Sequence, residues 1–389
     1  MNGQLAADPR GTMERLPTCL QPVLTCLTGK PTAHETSWRL KPWHHLASAI
    51  VALFFGLAGS AAIFVVGGRW WLLMPPAWLV TVHGARKLRT IIMHQCSHSN
   101  FLRSRWWDRA IGKIISILLV TEEFDGYKRA HLADHHSARH QTVHDPTVIF
   151  LLQELGLRPG MTSSEMWFRL WLTIVSPRYH ARFLSARIQS HFDRTSIRHR
   201  IIFTVWITTI VLVVAATKTT AIFLVVGVVP LVLLYQVSSA FRLACKHVFP
   251  KQLPNRRTRE CLGLFTLGIF IGESCPRPDL GRLQSLFGWF RWWTVMTFYH
   301  LPCRLFVLVG DGPAHDFHHR FPNYADWSNY IHGREEDARK ANSTSNPYQE
   351  VWGLGAAIDA CFVSLSLADP ADYPYTPRST RMVLVTADD

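Results

Sequence analysis

The stretch Leu46–Val66 reads LASAIVALFFGLAGSAAIFVV and contains no charged side chain over its 21 residues. A helix of about 20 apolar residues is long enough to cross the hydrocarbon core of a bilayer, which is about 30 Å thick. This stretch therefore predicts a membrane-spanning helix near the start of the chain.

Three more apolar stretches are predicted to form helices, and together with the first helix they make two hairpins. After Gly67–Arg69 the chain returns through Trp70–Val82, a weaker span that two prolines interrupt. Ile201–Ala216 and Ala221–Val237 form a second pair with a short turn between them. We predict an all-α integral membrane protein with four transmembrane helices in two hairpins and a cytoplasmic helical cap. A buried hairpin in a soluble protein is the alternative.

Composition and charge agree with a multi-pass membrane protein. The chain is 48% hydrophobic and 12% aromatic, yet its formal net charge is +14, which suits apolar spans joined by basic water-facing segments. The hairpin turns carry only Arg69 and Lys218, so the positive-inside rule places the other basic stretches in the cytoplasm. These stretches are residues 86–89, 103–109, 194–200 and 246–259.

Some localisation signals and partners are not expected. Residues 1–45 contain no apolar segment of a cleavable secretory signal. The basic residues are dispersed around the spans and form no nucleic-acid-reading motif, so we expect no nucleic acid partner. The eight cysteines form no C-x-x-C pair, which indicates reduced thiols, and we expect Cys96 to be a small core residue.

Histidines outside the spans form three compact groups. Spacings of three and four residues place side chains on one side of a helix, and neutral imidazole is a good ligand for Fe, Zn, Cu or Ni. One ion cannot use eight imidazoles, so the pattern predicts two metal ions. A solvated helix face is the alternative for any one group. The three groups are His94 and His98; His131, His135 and His136; and His315, His318 and His319.

The predicted topology brings these groups to one side of the membrane. With a cytoplasmic amino terminus and four spans, all three groups lie in the cytoplasm, where they can share a site. We expect three apolar stretches between and after the spans to form interfacial helices that cover this site. They are Ile111–Val120, Leu262–Gly272 and Leu286–Val309.

The motifs H-x-x-x-H, H-x-x-x-H-H and H-x-x-H-H, in this order and with hairpin spans between them, resemble the three-histidine-box membrane fatty acid desaturase and hydroxylase superfamily. We call them the first, second and third box. Tyr127–Ala130 before the second box, Asp145–Pro146 after it and Arg320–Pro322 after the third strengthen the resemblance. It covers roughly residues 45–335. It implies a di-iron domain over residues 46–335, between cytoplasmic segments 1–45 and 336–389.

The resemblance also implies a cofactor and a ligand set. Two iron ions, cycling between Fe2+ and Fe3+ with O2 as co-substrate, would be bound by the eight box histidines and by His247, which follows the fourth span. Many relatives have an acidic residue where Lys246 stands. Asp134 and Asp316 would accept hydrogen bonds from metal-bound imidazoles, and a solvated side chain is the alternative for each. For five other histidines we favour surface or structural roles over a ligand role, and His300 is the first to test. They are His83, His140, His144, His300 and His332.

The expected activity is that of a fatty acyl desaturase, which introduces a double bond into an acyl chain on a lipid, an acyl carrier protein or coenzyme A. A hydroxylase or ketolase of the same superfamily, acting on an acyl chain, a carotenoid or another long apolar substrate, is the alternative. A metal transporter is a distant third alternative. It would need ionisable residues inside the spans, and Leu46–Val66, Ile201–Ala216 and Ala221–Val237 contain no Asp, Glu, Lys, Arg or His.

Electrons must come from another protein. The chain has no His-Pro-Gly-Gly cytochrome b5 signature, no plant-type ferredoxin cysteine spacing and no Gly-x-Gly-x-x-Gly nucleotide fingerprint. We expect a ferredoxin-like, rubredoxin-like or cytochrome b5-like donor, which the basic cytoplasmic surface can attract.

Overall fold

The structure is a computed structural model that describes residues 8–36, 38–254, 259–341, 348–374, 377 and 382. The chain is mostly helical, with 69% of its residues in helices. The described α-helices are α1 Pro9–Thr12, α2 Gln21–Thr28, α3 Pro42–Val66, α4 Met74–Lys87, α5 His94–Ser97, α6 Arg105–Leu118, α7 Phe124–Ala130, α8 Pro146–Ile149, α9 Ser163–Ile174, α10 Pro177–Ser190, α11 Ile197–Thr217, α12 Thr220–Ile222, α13 Tyr235–Leu243, α14 Arg259–Leu264, α15 Arg282–Val295, α16 Leu301–Phe306, α17 His315–Arg320, α18 Tyr330–Ala341 and α19 Leu354–Ser366.

Several helices continue through wider or tighter turns. In π-helical turns the hydrogen bonds run from residue i to i+5, and such turns are frequent at functional sites. The π-helical segments are Leu88–Met93, His131–His135, Phe150–Glu154, Phe223–Leu234 and Met296–His300. Short 3-10 segments cover Met13–Arg15, Thr18–Leu20, Gly68–Leu73, Gly312–Ala314 and Trp327–Asn329.

Three helices in the described residues are long and apolar enough to cross a membrane. They are α3, α11 and the continuous helix Thr220–Leu243. Their outer faces leave large apolar side chains exposed, such as Phe54 and Leu212, as expected of surfaces that contact lipid. The predicted span Trp70–Val82 is not among them, because the continuous helix over residues 74–97 that contains most of it carries three cations, Arg86, Lys87 and Arg89.

Helices α3 and α4 nevertheless pack closely as a hairpin. A Cβ atom added at Gly84 would lie 2.3 Å from the backbone nitrogen of Leu53, and one added at Gly56 would lie 2.4 Å from that of Thr81. Small residues allow helix backbones to approach each other in this way. The two glycines therefore set the distance between α3 and α4.

We predict that Gly84→Ala destabilises this hairpin, because the new methyl group forces the two helices apart. Overpacking of this kind costs about 1–3 kcal/mol, which we expect to lower the thermal unfolding midpoint of the detergent-solubilised protein. Gly59→Ala on α3 is the matched control, since a Cβ there meets no atom within 4 Å. Equal midpoints for the two variants would contradict the packing role of Gly84.

The helix Thr220–Leu243 lies beside α4. The indole nitrogen of Trp78, near the start of α4, donates to the carbonyl oxygen of Val225 over 2.9 Å. Near the other end, Arg86 Nη1 donates to Ser239 Oγ over 2.8 Å. Helix α4 and the helix Thr220–Leu243 therefore run in the same direction. They bring the first box and His247 to the same end of the bundle.

A small parallel sheet supports that end. Strand β1, Gly268–Phe270, pairs with β2, Glu350–Trp352, with Gly268 opposite Glu350. The all-α prediction missed this sheet. The prediction of an interfacial helix over Leu262–Gly272 is wrong, because this stretch contains the buried strand β1. Three-residue strands are too short to show a hydrophobic period.

The C-terminal helix α19 joins the largest hydrophobic core. Ile358, Phe362 and Leu365 of α19 are buried together with Leu151 and Leu170. The described part of the predicted C-terminal segment 336–389 thus packs against the predicted di-iron domain. Residues 342–347, 375, 376, 378–381 and 383–389 of that segment lie outside the described residues, as do residues 1–7 and 37 of the predicted N-terminal segment.

Candidate metal centre

All nine predicted ligands come together in two adjacent histidine groups. In each group, one possible ligand atom from every residue lies within 4.8 Å of those from the others. The first histidine group contains His94, His98, His131, His136 and His318. The second histidine group contains His135, His247, His315 and His319.

The second box joins the two groups, because its neighbouring residues His135 and His136 point into different ones. The His136 and His319 rings stack across the boundary with their centroids 4.4 Å apart. The His315 and His318 centroids lie 6.0 Å apart. The site is therefore one continuous cluster with two centres.

Local helix geometry explains how the second box serves both centres. His131–His135 is a π-helical segment, and the backbone nitrogen of His136 donates to the carbonyl oxygen of His131 over 2.9 Å. The α-helical spacing assumed from the sequence is therefore wrong for this box. The wider turn instead places His131 in one group and His135 in the other. Another π-helical segment, Leu88–Met93, leads directly into the first box.

The ring nitrogens converge as ligands of one ion do. His318 Nε2 lies 2.8 Å from His94 Nε2 and 3.1 Å from His136 Nε2. His98 Nε2 lies 2.9 Å from the Nε2 of His131. Two nitrogens bound at right angles to an ion, each about 2.1 Å from it, would be about 3.0 Å apart. The observed spacings fit that arrangement.

Burial keeps these imidazoles neutral. It lowers the pKa of His98 to about 3 and that of His135 to about 4, although the Asp145 carboxylate opposes the shift at His135. The pKa values of His131 and His318 are also held well below the usual range by burial and by neighbouring histidines. Their lone pairs are therefore available to a metal at neutral pH.

Asp145 orients the second histidine group. Its buried oxygens lie 3.1 Å and 3.2 Å from His135 Nδ1 and accept from the backbone nitrogens of Gln141 and Thr147. Burial alone would raise the pKa of Asp145, but its contacts with His135 and His140 keep it well below the usual range. Since His135 is neutral, its Nδ1 donates to the carboxylate. Its buried Nε2, which has no hydrogen-bond partner among the described residues, then faces the metal site.

His140, for which the sequence favoured a surface or structural role, lies beside the second histidine group. It is buried, its Nδ1 lies 3.1 Å from Asp145 Oδ2, and it forms a third candidate group with His135 and Asp145. Its ring centroid lies 4.7 Å from that of His247 and 4.8 Å from that of His319. The sequence signal was its spacing of four residues from His136.

His247 is held by the loop that precedes β1. Its Nδ1 lies 3.2 Å from Thr266 Oγ1 and 3.3 Å from the carbonyl oxygen of Phe265. Its buried Nε2 has no hydrogen-bond partner among the described residues. Lys246 is fully buried, and its carbonyl oxygen accepts from the backbone nitrogen of Leu267. The unusual lysine is thus compatible with His247 pointing into the second histidine group.

The two aspartates predicted to support imidazoles have other partners. Asp134 Oδ1 accepts from Arg139 Nη1 over 2.7 Å near the surface. Asp316 is buried and accepts from both Arg334 Nε and Arg334 Nη2. Arg334 also contacts Glu350 on β2. Asp316 therefore fastens the third box to the sheet, while Asp145 is the carboxylate that contacts clustered imidazoles.

The remaining histidines lie outside the two groups. His83 Nδ1 contacts the carbonyl oxygen of Leu305, and His144 is exposed. His332 packs its ring against Trp38. His300 is buried, and neither of its ring nitrogens has a hydrogen-bond partner among the described residues. It belongs to neither histidine group.

Tyr330, which the sequence did not single out, supports the first histidine group. Its buried hydroxyl lies 3.0 Å from His318 Nδ1 and accepts from Gln95 Nε2 over 3.3 Å. A partner on the far nitrogen of a metal-bound imidazole fixes the orientation of the ring. Tyr330 therefore has the role toward His318 that Asp145 has toward His135.

We predict that Tyr330→Phe weakens metal retention by about tenfold, the lower end of the range for losing such a partner. The ring still fills its buried place, so the protein should fold normally. The measurement is the metal that remains bound after dialysis against increasing chelator. Tyr324→Phe is the control, because Tyr324 packs against Tyr330 and makes no contact with His318 in the described residues. Equal retention in the two variants would contradict a role of the Tyr330 hydroxyl.

The donor set limits which metals fit. The first histidine group offers only neutral nitrogen atoms, and the second group has one carboxylate beside it, so hard cations such as Mg2+ and Ca2+ are poor candidates. The seven cysteines whose side chains the structure describes are free, and none belongs to either group. Imidazole suits Fe, Zn, Cu or Ni. The residues fit a pair of transition metal ions, as predicted.

Comparisons with protein-family models and with curated proteins found no match to this chain.

Proposed function

We propose that this chain is a membrane-bound, O2-dependent fatty acyl desaturase whose two histidine groups bind two iron ions. The observation that carries the proposal is the convergence of nine neutral imidazoles from three boxes and His247 into two adjacent centres. Such a ligand set is unnecessary for a structural ion, since four ligands complete a structural zinc site. The order of the three boxes and His247 along the chain is also that expected from the superfamily that the motifs resemble.

The membrane arrangement supports the same proposal. We infer that α4 forms a fourth span with α3, because the two helices pack along each other through Gly56 and Gly84. The short turns would then face the opposite side from the boxes. The basic stretches that flank the boxes support a cytoplasmic metal centre by the positive-inside rule.

An iron pair bound there would activate O2 to remove hydrogen from an unactivated methylene. In a desaturation, two hydrogens from the substrate, together with two electrons and two protons from outside, reduce O2 to two waters. The residues of this chain would bind and orient the ions and limit the access of water to them. Seven of the nine histidines are buried, whereas His98 and His136 are partly exposed. These two mark the side from which a substrate can approach.

An apolar cavity of about 310 Å³ supports an apolar substrate. It lies between α9, α13, α16 and α19. Helix α13 leads to His247, and α16 leads toward the third box. Aromatic and aliphatic side chains provide nearly all of its lining, as a hydrocarbon chain requires. The lining includes Trp167, Trp171, Phe241, Phe306 and Ile358.

The electron donor in this proposal is a separate small protein of ferredoxin, rubredoxin or cytochrome b5 type. The net charge of +14 can speed the approach of such an acidic carrier through long-range attraction. Added salt should therefore slow electron delivery, because it screens that attraction.

The experiment is to express the chain in a host of defined lipid composition and to analyse extracted acyl chains by mass spectrometry. A desaturase yields chains that have lost two hydrogens. His318→Ala serves as the inactive control. Chains that have only gained oxygen would replace desaturation with hydroxylation. If a preparation that holds two irons and has a working donor gave neither the desaturated nor the oxygenated product, the proposal would be contradicted.

A further inference from the structure

A second cavity lies away from the metal centre, between α6 and the first turns of the span α11. Its volume is about 430 Å³. Ile114 and Ile117 of α6 and Ile202 of α11 form an apolar wall. Trp106 lies on its rim and is 67% exposed. The cavity is large enough for a headgroup and the start of one hydrocarbon chain.

Positive charge surrounds this apolar wall. Arg109, Lys113 and Arg198 line the cavity. Asp125 is shared by two of them, since it accepts from Arg109 over 2.7 Å and contacts Lys113 Nζ over 2.7 Å. The lining contains three cations and no carboxylate, so it is positively charged although the neighbouring Asp125 offsets part of that charge. Arg198 is exposed at the start of α11.

The position of α6 puts this cavity at membrane level. Trp106, Ile114 and Leu118 form an exposed stripe along the helix, and Arg105, Arg109 and Lys113 run beside it at four-residue spacing. An apolar stripe beside a basic one is the pattern of a helix that lies in the bilayer interface. Trp106 suits the headgroup level, where tryptophan is enriched.

The start of α11 adds to the same field. Ser196 caps this 21-residue helix, and its hydroxyl accepts from the backbone nitrogen of His199 over 3.2 Å. The positive end of the helix dipole therefore faces the mouth of the cavity. His199 lines the cavity and contacts His191 Nδ1 over 3.0 Å. The cavity thus combines fixed cations, a helix amino terminus and an apolar wall.

We propose that this cavity is a binding site for an anionic glycerophospholipid of the surrounding leaflet. The phosphate headgroup would contact Lys113 and Arg198, and one acyl chain would cover the three isoleucines. A zwitterionic lipid carries its own cation and would not neutralise the positive charge of the lining. Free phosphate would leave the isoleucines exposed to water. Basic pockets beside spans recognise anionic headgroups in this way.

The test uses full-length protein in detergent and native mass spectrometry. The probe is an equimolar mixture of phosphatidylglycerol and phosphatidylcholine with identical acyl chains. We expect the native chain to retain about fivefold more phosphatidylglycerol, in keeping with electrostatic selection by a few cations. The double variant Lys113→Gln/Arg198→Gln should lose this preference while keeping the native thermal unfolding midpoint, which shows that it is folded.

Arg282→Gln is the matched control, because Arg282 is an exposed cation at the start of α15, outside the cavity. It should retain the preference. Equal retention of the two lipids by the native chain would overturn the proposal, as would an equal loss in Arg282→Gln. Displacement of the lipid by millimolar inorganic phosphate would assign the cations to a free anion and also overturn it. None of these outcomes depends on desaturase activity.

Discussion

Replacing His135 or His318 with alanine is expected to abolish oxidation and to lower bound iron from two ions per chain to about one or fewer. His135 belongs to the second histidine group and His318 to the first, so each variant removes a ligand from a different centre. Loss of a supporting partner alone typically costs 10–100-fold in metal affinity or activity. Loss of a ligand should therefore lower activity by at least about 100-fold.

The measurements are elemental analysis of the purified variants and product formation with a reduced donor. His144→Ala is the matched control, because His144 lies in the same segment but is exposed and outside both groups. It should keep two irons and native activity. Unchanged iron content in both His135→Ala and His318→Ala would show that these ligand assignments are wrong.

Asp145→Asn is expected to weaken metal retention by about 10–100-fold with little loss of fold. Asp145 is the N-cap of α8, where its side chain accepts from Thr147, and asparagine caps helices about as well as aspartate. Asparagine, however, replaces one of the two acceptor oxygens of aspartate with an NH2 donor. It therefore cannot accept hydrogen bonds from both His135 and His140. The imidazole orientation should suffer, while the start of α8 should not.

Asp134→Asn provides the contrast. Asp134 is three residues from the first histidine of the second box but pairs with Arg139 near the surface, and surface ion pairs contribute about 0–1 kcal/mol. Iron retention under chelator should be native in this variant and weak in Asp145→Asn. Equal retention in the two variants would contradict the orienting role of Asp145.

Much of the metal centre can be predicted from the sequence, because three compact groups of imidazoles in one chain supply more nitrogen ligands than a single ion can use. The nine predicted histidines all lie in the two groups. The division of the second box between the centres was not predictable, since it depends on the π-helical turn at His131–His135. No local residue pattern predicts a π-helical turn.

The supporting residues were harder to predict for a different reason. Tyr330 lies 12 residues after His318, and Asp145 lies 10 residues after His135. Contacts over such distances depend on how separate helices pack, and hydrophobic periodicity does not report them. The sheet that holds Asp316 through Arg334 was missed because each strand has only three residues.

Imidazoles from distant parts of the chain should bind two irons side by side. X-ray absorption at the iron edge of the purified, iron-loaded protein reports which atoms surround these ions. We predict nearest ligand atoms that are mainly imidazole nitrogens, no sulfur neighbour, and a loss of nitrogen signal in His318→Ala. A spectrum dominated by oxygen or sulfur ligands would show that the two histidine groups do not hold the iron.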